Sequence, residues 1–207
     1  MRALVEICCP APEIAVKAFS GGAGRVELCR DIDCGGLTPG SSSLACIRQL
    51  QGPVNVLIRL RKGDFVYSPD EVGAMLLQID EAAASGAAGV VVGALNPAGE
   101  VDLAASAALV ERARSLGLSV TFHRAIDEAA DYFAAFDAVR SLGVDRILTS
   151  GGAPDAYAGR FNIARLVASG GPVIMPGKGV TAANALEILS VTGAVEIHGT
   201  RLELLNL

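Results

Sequence analysis

Two apolar patterns take turns along the chain. Short, almost continuous apolar runs recur, and longer stretches with apolar residues three and four positions apart separate them. The short runs predict strands over residues 4–8, 25–29, 54–59, 89–92, 118–122, 146–149, 173–175 and 195–198. Runs of this kind suit strands buried on both faces, as in parallel sheets. The longer stretches predict helices over 12–19, 41–50, 68–86, 101–115, 131–141, 161–168 and 181–190. Ser68-Pro69-Asp70-Glu71 combines a capping serine, a proline at the first helical position and a capping-box glutamate. Thr181 is the expected cap of the last helix, and serines open the one at 41. A Gly-rich loop is expected over 31–40.

Eight strands alternating with helices, without a linker or a shift in composition, predict one α/β domain over 1–207, a (β/α)8 TIM barrel. A doubly wound open sheet is the alternative. The length fits only just, because such a barrel typically takes about 250 residues. After His198 only nine residues follow. The final helix is therefore expected to be short or missing, with 202–207 forming one or two turns. The gap beside the first and eighth strands then falls to that stub, to a partner subunit, or to nothing.

Composition narrows the classes. At 51% hydrophobic the 207 residues can bury a sizeable core, filled without tryptophan. A net charge of −5 argues against nucleic-acid binding through bulk charge. No apolar run reaches the roughly 18–20 residues of a membrane span. Met1-Arg2-Ala3-Leu4 passes directly into a strand containing Glu6, so no signal peptide is expected. Five cysteines, an odd number confined to the first 46 residues, then read as reduced thiols of a cytoplasmic protein.

In a parallel barrel all the strand ends meet at one face, and polar residues there converge. Thr121-Phe122-His123-Arg124-Ala125-Ile126-Asp127 places an imidazole, a guanidinium and a carboxylate at the end of a buried strand. Each is costly to desolvate unless it is paired or faces a cavity. Glu6 and Cys8, Glu27 and Cys29, Arg59 and Arg61, Thr149 and Ser150, Lys178, and Glu196 and His198 occupy equivalent ends. Alternation puts Glu6 and Cys8 on one face of their strand, and Glu27 and Cys29 on one face of theirs. Taken singly, each has a structural explanation: a cysteine fills a core, a glutamate pairs with an arginine, a histidine is satisfied by its neighbours. Together they predict a common polar pocket.

Gly177-Lys178-Gly179-Val180-Thr181 joins the seventh strand to a helix. With Gly199-Thr200 it offers backbone amides for a phosphate or carboxylate, or else it is simply a tight turn that needs glycine. Gly151-Gly152 is a weaker instance of the same kind. Cys8 and Cys29 end neighbouring strands, and two thiolates suit Cu(I). Cys9 and Cys34 are close enough in sequence to share or compete.

The residues carrying these features resemble a known family. Glu6-Ile7-Cys8-Cys9, Arg25-Val26-Glu27-Leu28-Cys29 with Gly35-Gly36-Leu37-Thr38-Pro39, Gly63-Asp64-Phe65-Val66-Tyr67-Ser68, Thr121-Phe122-His123-Arg124-Ala125 and Leu148-Thr149-Ser150-Gly151 are similar to the CutC-type copper homeostasis family. The resemblance runs from the first strand to His198. It implies a (β/α)8 barrel, a cytoplasmic protein, a homo-oligomer such as a dimer, and Cu(I) held by Cys8 and Cys29; no organic cofactor is expected. Three departures stand out. Arg59-Leu60-Arg61 replaces the family's Arg-Pro-Arg, Gly199-Thr200-Arg201 follows the last histidine, and family members continue for several tens of residues more.

Two functions follow. One is copper homeostasis, with Cu(I) bound by the strand-end cysteines at the barrel mouth. The alternative is an enzyme acting on a small anionic metabolite, phosphate or carboxylate. There His123 would be the general acid or base, and Glu6, Glu27 or Glu196 its carboxylate partner. Arg59, Arg61 and Arg124 would clamp the anion beside Gly177, Lys178 and Gly179.

Overall fold

The computed structural model describes residues 3–207. The expectation of no leader rests partly on Met1 and Arg2, which lie outside the described residues. Eight parallel strands form one sheet: β1 (Leu4–Cys9), β2 (Arg25–Leu28), β3 (Val54–Leu57), β4 (Gly89–Val92), β5 (Ser119–Phe122), β6 (Arg146–Thr149), β7 (Val173–Pro176) and β8 (Glu196–Gly199). Their order is β7-β6-β5-β4-β3-β2-β1-β8. Each strand follows its sequence neighbour, and the last then pairs with the first, Glu6 opposite His198. β7 and β8 lie side by side, and among the described residues no ladder of hydrogen bonds joins them. The sheet is a nearly closed barrel, as the eight βα units require.

Among the described residues seven helices surround it: α1 (Pro12–Ser20), α2 (Ser41–Leu44), α3 (Pro69–Ser85), α4 (Leu103–Ser115), α5 (Tyr132–Ser141), α6 (Arg160–Ser169) and α7 (Ala185–Thr192). The capping box that starts α3 is complete: the Ser68 hydroxyl accepts the Glu71 N–H, and the Glu71 carboxylate accepts that of Ser68. Two expectations need correction. The helix expected over 41–50 breaks after Leu44 and resumes as a 3-10 turn, Ile47–Gln49. No side chain caps either piece, so its first turns rest on packing alone. Thr181 does not cap α7. The Asn184 side chain accepts the Thr181 N–H at 2.8 Å, closing a turn ahead of the helix and delaying its start to Ala185.

Alternation splits the strands into two cores. Val5, Ile7, Val26, Leu28, Val90, Val92, Val120, Phe122, Ile147 and Ile174 face outward and pack under the helices. Inside the barrel Cys8, Cys29, Leu57 and Val91 form a smaller cluster, covered by Ile32. In place of an eighth helix the chain makes a 3-10 turn, Leu202–Asn206, with Leu204 and Leu205 buried against α1 and β1. The stub covers part of the gap. An apolar hollow of about 590 Å³ remains between Leu4, Leu186, Leu189, Val195 and Leu207.

Candidate functional site at the barrel mouth

A cavity of about 440 Å³ opens at the carboxyl ends of the strands, the face where barrels of this kind place their ligands. Cys8, Glu27, Arg59, His123, Arg124, Lys178, Gly179 and His198 line it, from six strands or the loops that follow them. Four predicted residues stand elsewhere, the first being Cys29, which is fully buried behind Cys8 and does not line the cavity. Glu6 is fully buried below the cavity. Gly177 lies under the loop, its N–H given to Thr149 O. Arg61 faces α3, where Glu71, Asp64 and the Val66 carbonyl take its guanidinium.

The floor is a chain of charges running through the barrel. Arg25 donates through Nε to Glu6, and through Nη2 to Glu196 at 2.5 Å. Glu196 also accepts from Arg146 at 2.9 Å. His198 Nδ1 lies 2.8 Å from the other Glu6 oxygen. Burial works against ionising Glu6. The hydrogen bond and charge of His198, with the charge of Arg25, outweigh it and hold the carboxyl at about 2. Burial likewise disfavours the His198 imidazolium, but Glu6 and Glu27 raise its pKa above the ordinary value. Sequence reasoning gave no role to Arg25 or Arg146. The available signal was that both open strands otherwise apolar enough to be buried, where a guanidinium needs a carboxylate.

Above the floor the two thiols meet. Cys8 Sγ is 3.3 Å from Cys29 Sγ, and both cysteines are free and buried. Cys8 Sγ also donates to Glu27 Oε1 at 3.5 Å. Ligand atoms of Cys8, Glu27 and His198 all lie within 4.8 Å of one another. The second carboxylate oxygen of Glu27 is buried with no partner in the protein, and burial raises the Glu27 pKa. Cys9 does not share this site. It points to the outer core, its thiol bonded to Ile7 O. Cys34 lines the cavity rim with its thiol on Asp31 O.

The other side of the mouth is cationic. Arg59 is buried and held by the carbonyls of Cys34, Gly36 and Gly63. Among the described residues no carboxylate pairs with Arg59, Arg124 or Lys178, although Arg61, Arg25 and Arg146 are all paired. His123 is 5% exposed. Its Nδ1 accepts the Ala125 N–H at 3.2 Å. Burial, then the charges of Arg59 and Arg124, lower its pKa to about 3. The ring is therefore neutral with its hydrogen on Nε2, and that atom has no partner in the protein. It is a buried donor without an acceptor among the described residues. Gly93 makes room for it, since a Cβ there would stand 2.6 Å from the ring.

Asp127, Thr149 and Ser150 form a closed clip. One carboxylate accepts the hydroxyl of Thr149 and the amides of Ser150 and Gly152. The Gly151-Gly152 loop is thus filled by the protein's own anion.

Comparison with known proteins agrees with this architecture. The family model described as CutC family matches residues 3–203. A family protein CutC of Xylella fastidiosa strain Temecula1 is 47% identical over 199 residues, covering 95% of this chain and 74% of that protein. The corresponding protein of Xanthomonas campestris pv. campestris strain 8004 is 46% identical, covering 95% and 82%. The crystal structure of CutC from Streptococcus agalactiae superposes with a TM-score of 0.88 at 30% identity, over 97% of this chain and 99% of that one. With the match spanning the barrel from its first strand to past its eighth, the chain belongs to the CutC family.

Proposed function

We propose that this protein holds Cu(I) between Cys8 and Cys29 and serves copper homeostasis, the role for which its Streptococcus agalactiae relative is named. One observation carries this reading: two free thiols 3.3 Å apart, buried at the end of adjacent strands, with Cys8 lining the cavity and Cys29 directly behind it. Soft thiolates select Cu(I) over harder ions. Ligand atoms of Glu27 and His198 stand within 4.8 Å of the Cys8 thiol and of each other, so further donors flank that sulfur. The Glu6 carboxylate on His198 Nδ1 leaves Nε2 as the donor atom of that ring, an arrangement common behind metal-bound histidines. The ion is cargo in this reading, and free thiols suit a reducing compartment such as the cytoplasm.

The test is an anaerobic titration of the reduced protein with Cu(I) against a chromophoric chelator of known affinity. One equivalent should be withdrawn from the chelator by the wild type and none by Cys8→Ser/Cys29→Ser. Equal, weak competition by both proteins would remove copper from the reading.

A further inference from the structure

We propose that the barrel mouth carries a second site, separate from the thiol pair, for the phosphate group of a small phosphomonoester. The loops after β7 and β8 both line the cavity. In them the backbone amides of Lys178, Gly179, Val180, Thr200 and Arg201 have no acceptor within the described protein. Lys178 and Gly179 are both left-handed, with φ of 75° and 69°. A lysine rarely adopts that conformation, and a run of such amides forms the concave nests that hold anions. The contrast with the loop after β6 is direct. There the equivalent amides are spent on the Asp127 carboxylate, whereas after β7 the neutral Asn184 side chain takes only the Thr181 amide, and among the described residues no carboxylate takes those of 178–180 or 200–201.

Charge and shape agree. Among the described residues, Arg124 and Lys178 line the cavity without ion-pair partners, beside the buried charge of Arg59, and the carboxylates lining it are those of Glu27 and Glu128. Amides from two loops with two unpaired cations suit a three-oxygen dianion better than a planar carboxylate. His123 is the independent observation. It is more than nine-tenths buried, lines the same cavity, and its Nε2 hydrogen has no acceptor. With the phosphate on the loops, the His123 ring walls the body of the ester, and its enclosed Nε2 hydrogen meets an oxygen there after a small shift of the ring. A cavity of about 440 Å³ holds a molecule of that size.

The test uses the full chain with glycerol phosphate as probe, at constant ionic strength, by calorimetry and amide chemical-shift mapping. Saturable binding is expected, tighter than that of inorganic phosphate, with glycerol itself inert. Shifts should centre on the amides of residues 178–180 and 200–201 and on the His123 Nε2 hydrogen. Arg124→Ala should weaken binding about tenfold. Lys178→Gly keeps the amides and relaxes the left-handed backbone, so it folds, and it should weaken binding less. Cys8→Ser/Cys29→Ser should bind the probe as the wild type does, which separates this site from the copper reading. Absence of saturation, shifts centred elsewhere, or indifference to Arg124→Ala would overturn the site. Glycerol phosphate bound no more tightly than inorganic phosphate would overturn the assignment to an ester.

Discussion

His198 Nδ1 and Glu6 Oε1 lie 2.8 Å apart, so the eighth strand is fastened to the first by an imidazole on a carboxylate. The same carboxylate takes Arg25, and Arg25 reaches Glu196. The first, second and eighth strands are therefore linked through Glu6. Removing its charge leaves a buried guanidinium and imidazole short of a partner, which typically costs about 3–5 kcal/mol. Glu6→Gln should lose a comparable amount in urea unfolding.

The pH dependence of that loss has a defined sign. Glu6 is held at about 2 against an ordinary 4.5, so its stabilisation is present above about pH 4.5 and lost as pH falls toward 2. His198 is raised above its ordinary 6.5, so its share is present below about pH 6.5 and lost as pH rises through the raised value. The difference between wild type and Glu6→Gln should be greatest between about pH 4.5 and 6.5. Unfolding at three pH values, one on each side and one within, checks it.

The two histidines should behave oppositely. His123, with a pKa near 3, should stay neutral from pH 5 to 8 with its hydrogen on Nε2, while His198 should remain protonated above its ordinary range. Ring nitrogen shifts in a two-histidine protein resolve both. A His123 ring that titrates near 6.5 would contradict its enclosed geometry.

Gly93→Ala should displace His123. The new Cβ meets the imidazole at 2.6 Å and the Phe122 ring at 3.2 Å, in a packed interior where overfilling typically costs about 1–3 kcal/mol. Thermal unfolding should record the loss, and the His123 signals should shift while those of His198 hold.

Much of this architecture was legible along the chain. All eight strands lie within a residue or two of the apolar runs, because burial on both faces leaves little choice of residue. The capping box at Ser68 fixed the start of α3 for the same local reason. What local signals missed depended on tertiary partners. Thr181 looked like a cap until Asn184 took its amide. Asp127 looked like part of the reactive mouth, yet Ser150 and Gly152, in the loop after the next strand, claim it. Arg61 resembled Arg59, but a two-residue step along a chain already leaving its strand sends it to α3. The meeting of Cys8 with Cys29 followed from strand order, whereas the role of Arg25 needed the whole closed ring.

Asp127→Asn should open the clip after β6. The amides of Ser150 and Gly152 would keep a weaker, neutral acceptor, and a loss of about 1–3 kcal/mol is expected for so many charge-assisted bonds at one group. Urea unfolding measures it, and amide shifts should be confined to residues 149–152.

The clip also bears on selectivity. A carboxylate tethered beside its own amides acts at an effective concentration that millimolar metabolites in solution do not match. The loop after β6 is in that sense permanently saturated, whatever the cell contains. With the proposed phosphate site, competition among soluble anions is confined to the loops after β7 and β8, and the barrel distinguishes one docking direction from another by having answered the other question itself.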